Sequence, residues 1–396
     1  LQMGNGWTAN HSNFNAENDY DYWAGDYVGS IKNNYIRIYW GDGSNTYLDI
    51  KILSRDASTA INNTISEMGD NSSSTWTKGV YHTYSSDGDY VVYWGSSARE
   101  SVENSNGSAW RNETKVNIGG ANSSNISPVS AVPSVVQVQD NKTFNYQVVA
   151  TDANGDSLNY RWGTKAEFFD ASSTDNFTEP TGMTLSTSGL ISWDVRDSVL
   201  CSGCSQNDVN DVDDLWVAVI MVEDLDSSGN VKSYIPIDFF FKIASASNDP
   251  PEFTKFPTGT RTVSVGNTKT IKIKSTDDSG VAPTITVLNP PSDNSSIWDN
   301  TTSTSGGETT FTISFTPDSS MGNKSYAVNI RSTDNAGMTK DQSLGLKVSS
   351  VSNADPTAPI LLSPADGDNV TSPVTFRFAG STDSDGDTVS YTMYIC

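Results

Sequence analysis

The sequence predicts an all-β protein built from several small sandwiches of two sheets, joined one after another. Gly, Asn, Ser, Thr and Asp are abundant, and the apolar stretches are short and rich in Val, Ile, Tyr, Phe and Thr, which is typical of strands. No long segment keeps the 3.6-residue apolar period of an amphipathic helix. Because one sandwich uses about 100 residues, the 396 residues predict three or four of them in tandem.

The chain is strongly acidic, with 47 acidic and 24 basic side chains and a formal net charge of −23. We expect no nucleic-acid partner, because binding phosphates needs clusters of Lys and Arg. An acidic surface keeps a protein soluble and attracts divalent cations. No apolar run reaches the length of about 18 residues that a transmembrane helix needs, so we expect no membrane span in this segment.

Secretion and N-glycosylation are predicted together. The chain starts at Leu1 without an initiator Met, which suits a mature product whose signal peptide has been removed. Sequons of the form Asn-x-Ser/Thr agree with a glycosylated extracellular or cell-surface protein. Asn125 and Asn176 are poorer acceptors because Pro128 and Pro180 lie just downstream. The predicted glycosylation sites are Asn10, Asn62, Asn71, Asn106, Asn112, Asn122, Asn141, Asn176, Asn294, Asn300, Asn323 and Asn369.

The first predicted domain covers residues 1–125. Alternating apolar residues lead into Trp-Gly-Asp-Gly at 40–43, and His-Thr-Tyr at 82–84 precedes Gly-Asp-Tyr-Val-Val at 88–92. Together these motifs resemble the polycystic-kidney-disease (PKD) repeat, an immunoglobulin-like β-sandwich. The resemblance implies a binding or spacer module in which His82 is a framework residue. An Asn, Gly and Ser-rich linker at 117–125 closes the domain.

Aromatic residues alternate with carboxylates near the start of the chain, at Tyr20, Tyr22 and Trp23. Such a pattern can form a sugar-binding platform, with rings stacking on pyranose faces. The alternative is an edge strand that buries one aromatic face. The platform would make this region the carbohydrate-binding part of a larger extracellular hydrolase, which PKD-like modules often accompany.

The second predicted domain covers residues 126–246. An acidic turn, Thr-Asp-Ala-Asn-Gly-Asp at 151–156, is followed at once by an alternating strand. The run Pro-Thr-Gly-Met-Thr-Leu-Ser-Thr-Ser-Gly-Leu-Ile-Ser-Trp at 180–193 resembles a signature of the putative-immunoglobulin modules, which are related to cadherin-like repeats of microbial, including archaeal, cell-surface proteins. The resemblance implies a sandwich that strands at 215–222 and 234–243 complete.

Two further domains are predicted, at 247–352 and 353–396. The third opens at Asn-Asp-Pro-Pro-Glu-Phe, 248–253, which resembles the linker of cadherin repeats, and its two prolines favour an extended joint. Thr-Asp-Asn-Ala-Gly at 333–337 is similar to the turn at 151–155, and residues 382–391 align with 151–162 as an internal repeat. About forty residues cannot close a sandwich, so we expect either a longer natural chain or strands supplied by a neighbouring molecule.

Calcium is the predicted cofactor. Asp152, Asn154 and Asp156 place oxygen atoms at every second position, as calcium loops do, and neither this run nor the later one is an EF-hand. The later run comprises Asp383, Asp385 and Asp387. The resemblance to cadherin-like arrays implies further ligands at domain junctions, namely Glu223, Asp224, Asp226, Asn248 and Asp249. The alternative is that these residues form ordinary β-turns.

Little in the sequence supports catalysis. Cys201 and Cys204 have the spacing of half a zinc site, but zinc needs four ligands and only Cys396, His11 and His82 remain. A local disulfide between Cys201 and Cys204 is the expected use in an oxidising compartment. No hydrolase, metalloprotease or phosphate-binding motif is present, and we predict that the chain is not an enzyme.

These features together predict a secreted, N-glycosylated, calcium-binding array of immunoglobulin-like sandwiches. Such an array would act as a filament, surface-layer or adhesion subunit, and its expected partners are other copies of itself and cell-surface glycans. The second hypothesis is the carbohydrate-binding accessory region of a larger extracellular hydrolase.

Overall fold

The prediction of an all-β fold made of tandem immunoglobulin-like sandwiches is confirmed. A computed structural model describes residues 2–7, 27–28, 37–47, 49–56, 62–70, 77–96, 99, 101–107, 109–169, 173–196, 212–245, 247–350, 356–365, 367–382 and 389–393. Strands dominate these ranges. The helical elements among them are the short α-helix α1 (Lys165–Phe168) and two 3-10 turns, Gly120–Asn122 and Ser319–Met321.

The N-terminal part contains two antiparallel sheets. Its strands are β1 (Gln2–Trp7), β2 (Tyr27–Val28), β3 (Arg37–Tyr39), β4 (Asn45–Tyr47), β5 (Asp49–Asp56), β6 (Asn62–Asp70), β7 (Thr77–Lys78), β8 (Gly88–Ser96) and β9 (Trp110–Ile118). One sheet has the order β1-β6-β5-β2, with β7 beside β6, and the other has the order β9-β8-β3-β4.

The second sandwich follows from residue 129. Its strands are β10 (Val129–Ser130), β11 (Val135–Gln139), β12 (Thr143–Gln147), β13 (Ala150–Thr151), β14 (Ser157–Trp162), β15 (Met183–Leu185), β16 (Leu190–Asp194), β17 (Leu215–Leu225) and β18 (Val231–Ala244). One sheet has the order β14-β17-β18, with β11 parallel to β18, and the other has the order β12-β16-β15. Strand β9 pairs with β18, Tyr234 opposite Lys115, so one sheet continues across the predicted boundary near residue 125.

Strand β17 is buried on both faces. Trp216, Ile220 and Val222 face the core between the two sheets, while Val217 and Met221 face a second apolar cluster on the other side. An uninterrupted apolar run is typical of a strand covered on both sides. The second cluster is closed by the last residue of α1 and by residues before and after the helix, namely Val102, Ala109, Phe168, Phe169 and Phe177.

The third sandwich repeats this topology. Its strands are β19 (Glu252–Lys255), β20 (Arg261–Ser264), β21 (Lys269–Thr276), β22 (Thr284–Val287), β23 (Trp298–Ser305), β24 (Glu308–Phe315), β25 (Lys324–Thr333) and β26 (Thr339–Ser349). Its sheets have the orders β22-β25-β26-β20 and β19-β21-β24-β23. Strand β20 runs parallel to β26 as β11 does to β18. The last part contributes one strand pair, β27 (Ile360–Ser363) and β28 (Arg377–Ala379).

The second and third sandwiches touch along one face of the third. Strands β25 and β26 contact β10, β11, β12 and β13. The contacts are polar: Ser343 Oγ donates to the carbonyl oxygen of Ala131 at 2.7 Å, and the backbone N of Thr339 donates to Gln137 Oε1 at 2.9 Å. Ser343 is 3% exposed, so this face is buried in spite of its polar side chains.

Candidate metal centre

The candidate site is built on the turn between β13 and β14. Asp152 follows the last residue of β13, and its Oδ1 accepts hydrogen bonds from the backbone N of Gly155 at 2.7 Å and of Asp156 at 3.0 Å. Gly155 has φ +85°, a conformation that glycine adopts without strain. The turn is therefore held by its own aspartate, as the Asp-x-x-Gly pattern favours.

A third carboxylate comes from a distant part of the chain. Strand β14 pairs antiparallel with β17, and Leu158 lies opposite Asp224, so the end of β17 comes next to the turn. Asp152, Asp156 and Asp224 each offer a carboxylate oxygen, and these oxygens all lie within 4.8 Å of one another. Asp152 is 5% exposed and Asp224 is 0% exposed. Two of the three acids are thus almost completely buried.

Several oxygen atoms at this cluster have no hydrogen-bond partner. They are Asp152 Oδ2, Asp224 Oδ1 and, beside them, Asn125 Oδ1. The other oxygen of Asp224 accepts from Asn125 Nδ2 at 2.6 Å and from Ser233 Oγ at 3.0 Å. Buried polar atoms are nearly always satisfied in folded proteins, so an unpartnered group needs an explanation, of which a bound ion is one.

Lys232 lies beside the cluster. Its Nζ contacts Asp156 Oδ2 and is 3.7 Å from Asp224 Oδ1. Burial raises the pKa of Asp224 above its ordinary value, against the hydrogen bonds from Asn125 and Ser233. Burial alone would lower the pKa of Lys232, but the hydrogen bond to Asp156 and the charge of Asp224 raise it. The ammonium group therefore balances part of the negative charge.

The residues present fit calcium. Calcium takes six to eight oxygen ligands at about 2.3–2.6 Å, so two ligand oxygens on opposite sides of the ion lie about 5 Å apart. The 4.8 Å limit among the three carboxylates is compatible with that span. The donors are oxygen atoms without sulfur or imidazole, which suits a hard cation. Asp152, Asp156 and Asp224 would hold the ion, and Asn125, whose Nδ2 donates to Asp224, offers a further buried oxygen.

The turn that carries Asp152 and Asp156 also contacts both neighbouring parts of the chain. Asn154 Oδ1 accepts from the backbone N of Ile126 at 2.7 Å, and Asn154 Nδ2 donates to the carbonyl oxygen of Ser124 at 3.3 Å. On the other side, Thr260 Oγ1 of the third sandwich donates to Thr151 Oγ1 at 3.3 Å. Asn154 thus anchors the linker from the N-terminal part.

The other predicted ligands lie apart from this cluster. Glu223 alternates with Asp224 along β17 and pairs with Arg161 at 2.6 Å and Asn159 at 2.7 Å. Asp226 closes the β17–β18 hairpin, where its Oδ1 accepts from the backbone N of Ser228 and Asn230. The structure therefore brings together Asp152, Asp156 and Asp224 and separates them from Glu223.

Asn248 and Asp249 lie at the joint between the second and third sandwiches. Gln139 Nε2 donates to the carbonyl oxygen of Asn248 at 2.8 Å and to Asp249 Oδ1 at 2.7 Å, and Lys142 forms an ion pair with Asp249. The Asn248 amide donates to Asp334. These two residues thus connect the sandwiches by direct hydrogen bonds.

The remaining predicted sites lie either outside the described residues or at sequons within them. Asp383, Asp385, Asp387, Cys201, Cys204, Tyr20, Tyr22, Trp23, Asn10 and Asn71 lie outside the described residues. Asn62 begins β6. Among the other predicted glycosylation sites, Asn112 and Asn122 are half-buried, whereas Asn106, Asn141, Asn176, Asn294, Asn300, Asn323 and Asn369 are exposed.

His82 packs into a small aromatic group. Its ring stacks on Trp40 with centroids 4.8 Å apart, and its Nε2 lies 2.7 Å from Asp42 Oδ2. Tyr84 OH donates to the carbonyl oxygen of Trp40 at 2.8 Å. Hydrogen bonds from Ser44, and then from His82, lower the pKa of Asp42 to about 2. The residues of the two motifs thus contact one another, which agrees with the predicted framework role of His82.

Two residues at the carboxylate cluster are not predicted by any metal-binding pattern in the sequence. Asn125 belongs to a sequon, and Lys232 belongs to no motif. Lys232 lies within a β-bulge, because Val231 pairs with Leu225 and Ser233 pairs with Asp224. No local sequence pattern predicts this bulge, because it depends on how two strands pair.

No helix in the described part of the chain has the length and apolar content needed to cross a bilayer. No protein-family model matches the chain, and no curated protein matches its sequence. Solved structures with similarity to it include the GspB Siglec domain, at 14% identity and a TM-score of 0.23, over 29% of this chain and 64% of that chain. The chain thus spans slightly less than two thirds of that structure.

Two other solved structures are similar over more of the chain. The sialic acid binding region of the Streptococcus sanguinis SK1 adhesin, bound to 3'sLn, matches at 13% identity and a TM-score of 0.22, over 59% of this chain and 81% of that one. Extracellular domains 3 to 5 of Drosophila OTK match at 13% identity and a TM-score of 0.20, over 82% and 91%. At these values the similarities carry no information about function.

Proposed function

We propose that this chain is a structural and adhesive segment of a cell-surface protein, in which calcium fastens neighbouring sandwiches together. The observation that carries the proposal is the position of the carboxylate cluster. The turn that supplies Asp152 and Asp156 is hydrogen-bonded to the linker before it through Asn154 and to the third sandwich through Thr151. An ion held by this turn and Asp224 acts where three parts of the chain meet.

The joint between the second and third sandwiches supports a mechanical role. Arg331 Nε and Nη2 donate to Asp341 at 2.7 and 2.8 Å, and Arg331 Nη2 reaches the carbonyl oxygen of Val135 at 3.4 Å. Asp341 is 4% exposed. The hydrogen bond from Arg331 to Val135 crosses the joint, and another relative orientation of the two sandwiches would lose it, so this contact favours one orientation.

Calcium would act by linking the turn to the end of β17. Three carboxylates so close together repel one another, and the ion replaces that repulsion with attraction. A ligand that binds only the folded state stabilises it by about 2.7 kcal/mol at a hundred times its dissociation constant. The array would therefore be stiffest in calcium-rich surroundings.

The surface of the protein fits an extracellular position. Exposed sequons such as Asn141, Asn294 and Asn323 are accessible for glycosylation, which we include in the proposal. Self-association into a filament or surface array is also included, and cell-surface glycans are the proposed adhesion targets. The net charge of −23 opposes self-association, so we expect assembly to require divalent cations.

Calorimetric melting of the full chain tests the metal centre. Calcium should raise the melting temperature of the wild type relative to chelator, and Asp224→Asn should abolish the difference. Asp277→Asn is the matched control, because Asp277 occupies the same position in a Thr-Asp-x-x-Gly turn of the third sandwich, at 276–280, and this variant should keep the difference. Coincident melting of the wild type with calcium and with chelator would refute the calcium claim.

Light scattering tests the assembly claim separately. The molar mass should rise with protein concentration when calcium is present and stay at the monomer value in chelator. A monomer at every concentration in both conditions would remove self-association from the proposal.

A further inference from the structure

We propose that Lys232 is a built-in competitor of calcium, a cation that occupies the carboxylate cluster when the metal is absent and must leave when it binds. This inference rests on the proposed function of Asp152, Asp156 and Asp224 as a calcium site. It assigns to Lys232 the regulation of that site.

The position of Lys232 depends on an irregularity in the β17–β18 hairpin. Val231 pairs with Leu225 and Ser233 pairs with Asp224, so Lys232 is the extra residue of a bulge. A β-bulge turns a side chain out of the normal alternation, and bulges are common next to functional sites. Here the bulge lies at the carboxylate cluster, and it directs the ammonium group onto two of the three acids.

The same bulge is missing from the corresponding hairpin of the third sandwich. Strands β25 and β26 pair without a register shift from Lys324 opposite Val348 to Thr333 opposite Thr339. The described residues of the third sandwich also contain no group of three acidic side chains close enough to hold a metal. Bulge and cluster therefore occur together in the second sandwich.

Lysine and calcium compete for the same oxygen atoms. Nζ contacts Asp156 Oδ2 and lies 3.7 Å from Asp224 Oδ1, which is also an oxygen without a hydrogen-bond partner. A calcium ion bound to both carboxylates would lie within a few ångströms of a second cation in a buried site, where charges repel strongly. Lys232 must therefore swing away when the ion binds.

The lysine side chain has a route for this movement. The Lys232 side chain is 14% exposed, and that of Asp156, which Lys232 Nζ contacts, is 24% exposed. Asp152 and Asp224 are buried, so the ammonium group lies on the solvent side of the cluster. A flexible four-carbon stem lets the charged end reach water while the stem remains packed. Binding of calcium thus exchanges one cation for another without opening the core.

Substitution of Lys232 should change two quantities, the stability of the calcium-free protein and the affinity for calcium. Without calcium the acids lose their counter-charge, so the protein becomes less stable. With calcium the competitor is gone, so affinity rises. We expect Lys232→Met to bind calcium about tenfold or more tightly, and a tenfold change corresponds to about 1.4 kcal/mol.

The first experiment is isothermal titration of the full chain with calcium. Lys242→Met is the matched control, because Lys242 lies on the same strand, is 20% exposed and pairs with Asp213 at 2.8 Å, away from the cluster. Lys232→Met should bind calcium more tightly than the wild type and should have a lower melting temperature in chelator. Lys242→Met should bind calcium like the wild type. Equal or weaker binding by Lys232→Met would overturn the inference while leaving the calcium site standing.

A second experiment uses the wild type and so does not depend on how the variant folds. An amine-acylating reagent is applied to the intact protein with calcium or with chelator, and labelling of each lysine is followed by peptide mass spectrometry. Calcium should accelerate the labelling of Lys232 several-fold and leave Lys242 unchanged. An unchanged or slower reaction of Lys232 would overturn the inference.

The outcomes also separate the two proposals. If neither the wild type nor Lys232→Met binds calcium, the metal centre and the competitor both fail. If only Lys232→Met binds, the lysine excludes calcium from the wild-type protein, which supports competition and contradicts the calcium-fastened array. A peptide in which Lys232 and Asp156 are joined with loss of one water would overturn competition, because an amide cannot leave the site.

Discussion

The second and third sandwiches contain the same turn at the same place, and only one of them forms a carboxylate cluster. Thr-Asp-x-x-Gly occurs at 151–155 before β14 and at 276–280 before β22. Both glycines have positive φ, +85° and +76°, and in both turns the aspartate side chain accepts backbone hydrogen bonds. The turn motif is therefore a structural element that does not by itself make a metal site.

The difference arises outside the motif. Asp156 follows the glycine in the second sandwich, whereas Val281, 49% exposed, follows it in the third. The hairpins at Asp226 and Asp334 are closed by the same pair of backbone hydrogen bonds. Ser332 lies two residues before Asp334, as Asp224 lies two residues before Asp226, so Ser332 is the counterpart of Asp224. Ser332 is fully buried and its Oγ lies 2.7 Å from the Oγ of Ser275. The third sandwich thus replaces two acids with neutral side chains.

The same comparison shows that two similar sequences form different connections between strands. Residues 333–337 resemble 151–155, but they form the β25–β26 hairpin, and the turn that corresponds to 151–155 is 276–280. Asp-x-x-Gly suits any tight connection between strands, so sequence similarity alone does not say which connection it forms.

The strongest test of the comparison puts the missing acid into the third sandwich. Ser332→Asp places a carboxylate at a fully buried position and should cost about 3 kcal/mol or more, measured by urea unfolding of the full chain in chelator. Val281→Asp, at an exposed position, is the control and should change stability by less than about 0.5 kcal/mol. A small cost for Ser332→Asp would contradict the view that burial sets the difference.

The reverse change makes the second sandwich resemble the third. Asp224→Ser should remove the stabilisation by calcium, about 2.7 kcal/mol at a hundred times the dissociation constant. The measurement is the difference in unfolding free energy between calcium and chelator. Asp226→Asn, two residues along the same chain segment, should retain the calcium effect. If Asp224→Ser retained it as well, Asp224 would not be a ligand.

The two sandwiches should also differ in their response to pH. Burial raises the pKa of Asp224 in the folded state. The loss of folding stability that the ionised carboxylate causes is therefore absent below the unfolded pKa of about 3.9 and grows as the pH rises through the raised folded-state pKa. In chelator, Asp224→Ser should therefore be stabilised relative to wild type near neutral pH, and the difference should vanish in acid. Denaturant titrations at several pH values measure this, and a difference independent of pH would argue against the raised pKa.

The smallest expected effect concerns the link to the N-terminal part. Asn154→Ala removes the hydrogen bonds to Ile126 and Ser124 and should cost about 0.5–1.5 kcal/mol. Ser279 holds the same place in the third turn, where its Oγ donates only within the turn, to Asp277. Ser279→Ala should cost less than about 0.5 kcal/mol. Equal costs for the two variants would mean that Asn154 does not fasten the linker.

The class of fold and the local turns follow from the amino-acid sequence alone. Alternating strands, a β17 run without polar residues up to Val222 and the Asp-x-x-Gly turns follow from period, composition and turn chemistry, and the structure shows them. Asp152 and Asp156 were identifiable for the same reason, because they belong to one short segment.

The residues that join Asp152 and Asp156 from distant parts of the chain are set by strand pairing. Glu223, Asp224 and Asp226 were all candidates, and successive residues of a strand point to opposite faces. The pairing of β14 with β17 puts Asp224 against the turn and Glu223 against Arg161, while the bulge in β18 adds Lys232. Register and bulges are set by contacts between segments far apart in sequence, and no local pattern of residues records them.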